Sequence, residues 1–282
     1  TDTKTIKYTS RMRRRVSQLW KRIWTTNRQP NADVELMNEY MTTETKTTPQ
    51  RLSSEDIHLL CQQLAANDAN LVTLDLSKQD LDYEDANALG NALRINDTLC
   101  MLNLGENLLG DEGAFVLLEA LQHHVALEYL LLNKNNISNL SALAPILPPA
   151  LKWLDLSGNN IYVAEHLLEA AALHPTLDTL DLSVNHIGKN DARAVSCALQ
   201  SLVEINLFAN RLDDATCLVL ADSGYGSVQK LNLGYNHIGN EGAKGLLLAM
   251  EKPNALKSLV LTGNAITNME IKVALRAGAA TL

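Results

Sequence analysis

Aromatic residues are scarce in this chain of 282: three Trp, seven Tyr and two Phe. Aliphatic side chains must therefore fill its core. Cysteine is equally sparse, and Cys61, Cys100, Cys197 and Cys217 form no CxxC pair and no compact Cys/His set of metal-ligand spacing. That usage gives neither a disulfide framework nor a zinc site and suits a reducing compartment. Long apolar runs are missing too. Stretches such as 245–250 fall far short of the roughly 18 consecutive apolar residues that a spanning helix needs, and no N-terminal apolar region reads as a secretory signal. An intracellular, cytoplasmic protein is the expectation. Neither a G-x-x-x-x-G-K-[ST] phosphate loop nor a G-x-S-x-G nucleophile elbow occurs, so two common catalytic scaffolds lack their signatures.

Charge is unevenly placed. The net charge is −8, yet residues 1–30 hold nine Lys/Arg against the single acid Asp2, which leaves a net −16 for residues 31–282. An acidic body opposes the positive field that a phosphate-tracking surface requires, and nucleic acid is not an expected partner.

What the sequence does contain is a repeat. The pattern LxxLxLxxNxL begins at Leu71, Leu99, Leu127, Leu151, Leu177, Leu202, Val228 and Leu256, eight times at intervals of 24 to 28 residues. Four copies read LEYLLLNKNNI, LKWLDLSGNNI, LDTLDLSVNHI and LVEINLFANRL. Alternation across the LxL core is that of a strand with one buried face. The ninth slot is Asn in every copy but the first, which has Gln79. An amide placed where the chain leaves a strand can bond the backbone groups freed there, and stacked copies then form an Asn ladder. Segments such as GDEGAFVLLEAL (110–121) follow the turn with apolar residues at helical spacing. Each copy is thus a strand, a turn and a helix, able to bury its leucines only by stacking on its neighbours.

These motifs resemble the leucine-rich repeats of the ribonuclease-inhibitor-like class, over about residues 51–282. The resemblance implies an α/β solenoid of about eight repeats, with a curved parallel sheet on the concave face and helices on the convex face. It says little about activity, because that class includes inhibitors, GTPase activators, immune sensor domains and bacterial effectors. Repeat three carries Pro145, Pro148 and Pro149, so a shortened helix is expected there.

The ends differ from the repeats. Residues 51–70 hold a capping helix of a strandless first repeat, beginning at Ser53 or Ser54, and residues 269–280 can supply the last helix. Residues 1–50 are a basic, Thr-rich segment. Within it Met12, Val16, Leu19, Trp20, Ile23 and Trp24 share one helical face amid Arg11, Arg13, Arg14, Arg15, Lys21 and Arg22. Such a helix can cap the open end of the solenoid, lie on an anionic membrane, or engage a partner.

Catalytic constellations do not emerge. His186 and His237 share one repeat slot, no cofactor or metal is expected, and the chain reads as non-enzymatic. What remains is surface. In slot three, Met101, Tyr129 and Trp153 follow one another, with Leu131 beside them in slot five. Slots seven and eight add Phe208 and Tyr235. Four aromatics in the 32 outward slots exceed the roughly one that a background of about 4% supplies, and exposed aromatics are what interface hot spots look like. Asp155, Asp181 and Glu204, with Asp75 and Glu106, surround them as an acidic field suited to a partner with a basic rim. The expectation is a module that holds another protein on its concave face, one form being an inhibitor that covers an enzyme's active site. A bacterial effector secreted into a host is compatible with it. The alternatives are a GTPase activator of the repeat type, using Arg211 and Asn210, and a membrane-attached scaffold. Slot-five Asp and Asn can also serve only the strand edges, and the N-terminal segment can fold across Tyr129 and Trp153.

Overall fold

A computed structural model describes residues 52–139, 146–278 and 280–281. Strands and helices alternate along the repeats. Helix α1 (Ser54–Ala65) comes first, followed by β1 (Thr73–Asp75), α2 (Tyr83–Leu93), β2 (Met101–Asn103), α3 (Gly110–Leu121) and β3 (Tyr129–Leu131). After β4 (Trp153–Asp155) come α4 (Glu165–Leu173), β5 (Thr179–Asp181), α5 (Ala192–Ser201), β6 (Glu204–Asn206) and α6 (Asp214–Ser223). The chain continues through β7 (Lys230–Asn232), α7 (Asn240–Met250), β8 (Ser258–Val260), α8 (Met269–Ala277) and β9 (Ala280–Thr281). All nine strands pair in chain order and in parallel, slot three against slot three and slot five against slot five from β1 through β8. This is the expected α/β leucine-rich repeat solenoid.

Leucines in slots four and six, such as Leu102, Leu104, Leu154, Leu156, Leu180 and Leu182, join Leu117, Leu121, Leu168 and Leu199 of the helices in one continuous core. Differences in repeat length fall on the turn and helix, while the strands stay in register. Close helix contacts demand small residues in places. A Cβ on Gly245 of α7 would stand 2.9 Å from the Cys217 carbonyl oxygen of α6.

The Asn ladder forms as the spacing predicts. Asn159 donates through Nδ2 to the carbonyls of Leu132 and Leu156, one in the previous repeat and one in its own. Its Oδ1 accepts from the backbone N–H groups of Asn135 and Ile137. Asn185, Asn210 and Asn236 each repeat the double donation to slot-six carbonyls of two successive repeats. Gln79 serves the chain entry instead, accepting at Oε1 from the Leu52 N–H at 2.8 Å.

Slot eight, just before the Asn, holds a regularity that the sequence pattern did not reveal. Lys78, Glu106, Lys134, Gly158, Val184, Ala209, Tyr235 and Gly263 all have a positive φ, between 51° and 76°. The turn needs a left-handed residue there in every repeat, whatever its side chain. Gly158 and Gly263 were the only signals of it.

Of the two expected ends, the far one needs a correction. Ser53 is the N-cap of α1, its hydroxyl accepting from Asp56 N–H while the Asp56 carboxylate accepts from Ser53 N–H. The last helix stops at Ala277, not Ala280, and the chain returns to add β9 as a ninth strand on β8. Gly278 ends the helix, and the exposed backbone edge of β8 offers the following residues a ladder. The shortened helix of repeat three falls partly on residues 140–145, outside the described residues, as do the basic amphipathic helix at 11–24 and the whole of 1–50.

Candidate functional site

The concave row exists, but much of it is not open. Register places Met101 beside Tyr129, Tyr129 beside Trp153, and Leu131 beside Asp155, so the expected column is contiguous over roughly 10 Å at a strand spacing of about 4.8 Å. Exposure differs from the expectation. In the full chain Met101 is 2% exposed, Leu131 5% and Trp153 7%, and Asp155 is buried as well. None of the three apolar side chains belongs to the continuous leucine core, because slots three and five face away from it. In-register neighbours on both sides account for part of this burial by covering the flanks of each side chain. Tyr129 is half-buried, and burial together with the nearby Glu128 carboxylate pushes its phenol up.

The open part lies toward the far end of the sheet. Glu204 and Lys230 are half-buried and form an ion pair of 2.6 Å across β6 and β7. One step along, Phe208 and Tyr235 pack ring on ring with centroids 5.0 Å apart and planes tilted by 53°. Tyr235 is 54% exposed, and its ring fills the space a Cβ on Gly263 would need. An aromatic pair held from both sides offers a rigid apolar face with little entropy left to lose on binding.

The acidic field is weaker than the sequence suggests. Glu106 is bracketed by Lys78 at 3.5 Å and Lys134 at 3.6 Å, and Glu204 is paired with Lys230. Slot-five Asp and Asn carry a structural duty. Asp75, Asn103, Asp155, Asp181, Asn206 and Asn232 each accept at Oδ1 from the backbone N–H two residues on. These side chains hold the strand-to-turn corner. Burial, with the adjacent Asp181 charge, pushes the Asp155 carboxyl up to about 7, opposed by its Ser157 bonds and by Lys134. Burial raises Asp181 as well, opposed by its Ser183 bonds and by Asn206 Nδ2, from which it accepts at 2.9 Å.

Asn210, offered as a polar group for GTP hydrolysis, is buried and fully engaged in the ladder. Arg211 is exposed. Among the described residues no group of three or more His, Cys, Asp or Glu side chains could hold a metal ion. No helix among them is long and apolar enough to cross a membrane. Sequence reasoning missed the lysines that neutralise Glu106 and Glu204. Their place in slots eight and three of neighbouring repeats was the available signal.

Comparison with known proteins agrees with this architecture. A family model described as "Leucine Rich repeat" matches residues 227–247. The chain is 30% identical over 227 residues to the mouse (Mus musculus) NACHT, LRR and PYD domains-containing protein 12, covering 76% of this chain and 22% of that protein. Pig (Sus scrofa) ribonuclease inhibitor is 27% identical over 236 residues, 79% of this chain and 52% of that protein. The chain therefore spans about a fifth of the length of the former and about half of the latter. Among solved structures, internalin C2 from Listeria monocytogenes superposes with a TM-score of 0.54 at 21% identity, covering 79% of this chain and 83% of that one. That likeness is one of fold.

Proposed function

Starting from the fact that this chain is a leucine-rich repeat protein of the ribonuclease-inhibitor-like class, we propose that it binds another protein on its concave face and performs no chemistry on it. The observation that carries this reading is the Phe208–Tyr235 pair, an exposed aromatic face rigidly seated at the edge of the sheet beside the Glu204–Lys230 ion pair. Large apolar groups kept in solvent without a core to fill mark interaction sites. The remaining candidate residues, Met101, Tyr129, Leu131, Trp153, Asp155 and Asp181, continue the same face toward the first repeat.

Capture by a preformed sheet costs little ordering, so affinity comes from the aromatic anchors and orientation from the charges around them. A partner suited to this face brings an apolar centre and a basic rim. By likeness to ribonuclease inhibitor, one form of such capture covers an enzyme's active-site cleft.

The test is a pull-down with the full chain and with a Phe208→Ala/Tyr235→Ala double variant, both checked by circular dichroism. A partner retained by the first and lost by the folded second supports the reading. Equal retention by both moves the site away from this face.

A further inference from the structure

We propose that the turn rim of repeats five to seven, where His186, Arg211 and His237 stand in a row, holds an acidic segment of the partner protein. This rests on the reading of the concave face as the binding surface and names what the partner brings to its edge.

Slot ten supplies the row. In these repeats the slot-nine amides Asn185, Asn210 and Asn236 are buried, and His186, Arg211 and His237, the residues that follow them, are exposed. Their backbones are locked in line. The N–H groups of His186, Arg211 and His237 donate to the carbonyls of Ile161, Ile187 and Leu212, each in the previous repeat and each at 2.8 Å. Parallel bridges join Gly188 to Arg211 and Asp213 to His237. A guanidinium is thus set between two imidazoles in a row roughly 10 Å long, two strand spacings of about 4.8 Å.

The turn itself does not require these side chains. Asp80, Leu108, Asn136, Asn160 and Ala265 fill slot ten in the other repeats. Among the described residues, His186, Arg211 and His237 form no ion pair. Acids close to them along the chain are engaged by backbone instead: Asp191 accepts from the Ala164 and Gly188 N–H groups, Asp213 from Thr216 and Asp214 from Gly239. The first three repeats resolve their rim charges differently. There Lys78, Glu106 and Lys134 of slot eight neutralise one another. In repeats five to seven slot eight holds Val184, Ala209 and Tyr235, which offer the row no counter-ion.

Charge and shape together select the occupant. The planar fork of Arg211 matches a carboxylate with two parallel bonds, and an imidazole presents an N–H donor in either tautomer. Lys189, exposed three residues after His186, extends the positive end. Side chains on one side of an extended segment repeat every roughly 7 Å, so the row meets two carboxylates of such a segment. Phe208 lies three positions before Arg211 and Tyr235 two before His237, which puts an apolar contact next to the donors. A nucleic-acid strand fits less well. Asp213 and Asp214 interrupt the continuous positive field that a phosphate backbone requires, and residues 31–282 carry a net −16.

The experiment selects peptides from a displayed random-sequence library on the immobilised full chain. The most enriched peptide is synthesised, and its affinity is measured by fluorescence anisotropy for the unchanged chain and for Arg211→Gln, Arg211→Lys, His186→Ala/His237→Ala and Phe208→Ala/Tyr235→Ala. All these side chains are exposed or half-buried, and equal thermal midpoints control for folding. Peptides with at least two Asp or Glu beside an aromatic or aliphatic residue are expected. Arg211→Gln should weaken the selected peptide by at least about tenfold, the scale of a hydrogen bond to a charged group, and the double histidine variant by less. Arg211→Lys should restore only part of the loss, because an ammonium lacks the fork. Selection of peptides without acids, selection of nothing, or an acidic peptide indifferent to Arg211→Gln overturns the proposal. Displacement of the peptide by an equal concentration of single-stranded polythymidylate assigns the row to phosphate and overturns it as well. Dependence on Phe208 and Tyr235 without dependence on Arg211 leaves the concave-face reading standing and removes the acidic site. Dependence on Arg211 alone keeps the acidic site and takes the aromatic anchor from the proposed function.

Discussion

Slot nine and slot three of the same repeats obey opposite rules. Seven Asn side chains, from Asn107 to Asn264, stand in slot nine and bond across neighbouring repeats in closely similar ways. Slot three holds Thr73, Met101, Tyr129, Trp153, Thr179, Glu204, Lys230 and Ser258, and only Thr occurs twice. The backbone turn presents the same unpaired groups in each repeat, so one amide answers all of them. A side chain in slot three meets no obligatory backbone partner and is free to vary. One row holds the solenoid together, and the other gives it individuality.

The largest effect should come from breaking the uniform row. Asn159→Ala leaves the Leu132 carbonyl and two N–H groups without their buried partner, while the Leu156 carbonyl keeps Asn185, and orphaned buried groups cost about 1–3 kcal/mol each before water or relaxation recovers part of it. A loss of about 4 kcal/mol in urea denaturation is expected. A loss under about 1 kcal/mol would mean that the ladder is not the main brace of the turns.

Slot five lies between the two rules, and its pH dependence tests this. Asp155 titrates near 7 in the folded chain against about 3.9 when unfolded. Well below about pH 3.9 both states hold the proton and nothing is lost. As pH rises toward and through 7 the unfolded chain has already released it, so this group makes the fold progressively less stable. Asp155→Asn removes the penalty while keeping an acceptor for Ser157 N–H, as Asn103, Asn206 and Asn232 do for their own corners. The variant should gain about 4 kcal/mol at pH 8 and less than about 0.5 kcal/mol at pH 4, read from denaturation midpoints at the two values. An equal gain at both would show that charge is not the cause.

Slot eight offers a smaller change. Val184 is a β-branched residue at φ 54°, with its side chain exposed. Val184→Gly relieves left-handed strain of about 1–2 kcal/mol per residue, offset by the added freedom of glycine when unfolded. A net gain of about 1 kcal/mol is expected in thermal or urea unfolding. The smallest effect on stability belongs to slots seven and eight of the open end: Tyr235→Ala should change stability by less than about 0.5 kcal/mol. Its effect on partner affinity should exceed tenfold, as removing a hot-spot anchor does, measured by titration calorimetry.

The chain by itself determined its architecture. A leucine or isoleucine at every slot four and an amide at every slot nine are local requirements repeated eight times, so the strands, the ladder and the parallel register could be read from spacing alone. Asn159 and Leu154 behave as their slots predict. Tertiary structure decided what the slots do to each other. Trp153 reads as an outward residue on its own strand, yet it stands between Tyr129 and Thr179 and is buried. Glu106 reads as an acid, yet two lysines from adjacent repeats stand within 3.6 Å of it. Asp155 reads as a surface charge, yet burial next to Asp181 lifts its carboxyl to about 7. Secondary structure follows from periodicity along the chain, whereas exposure, charge and titration are set by distances between residues more than 20 positions apart, which only stacking brings to a few ångströms.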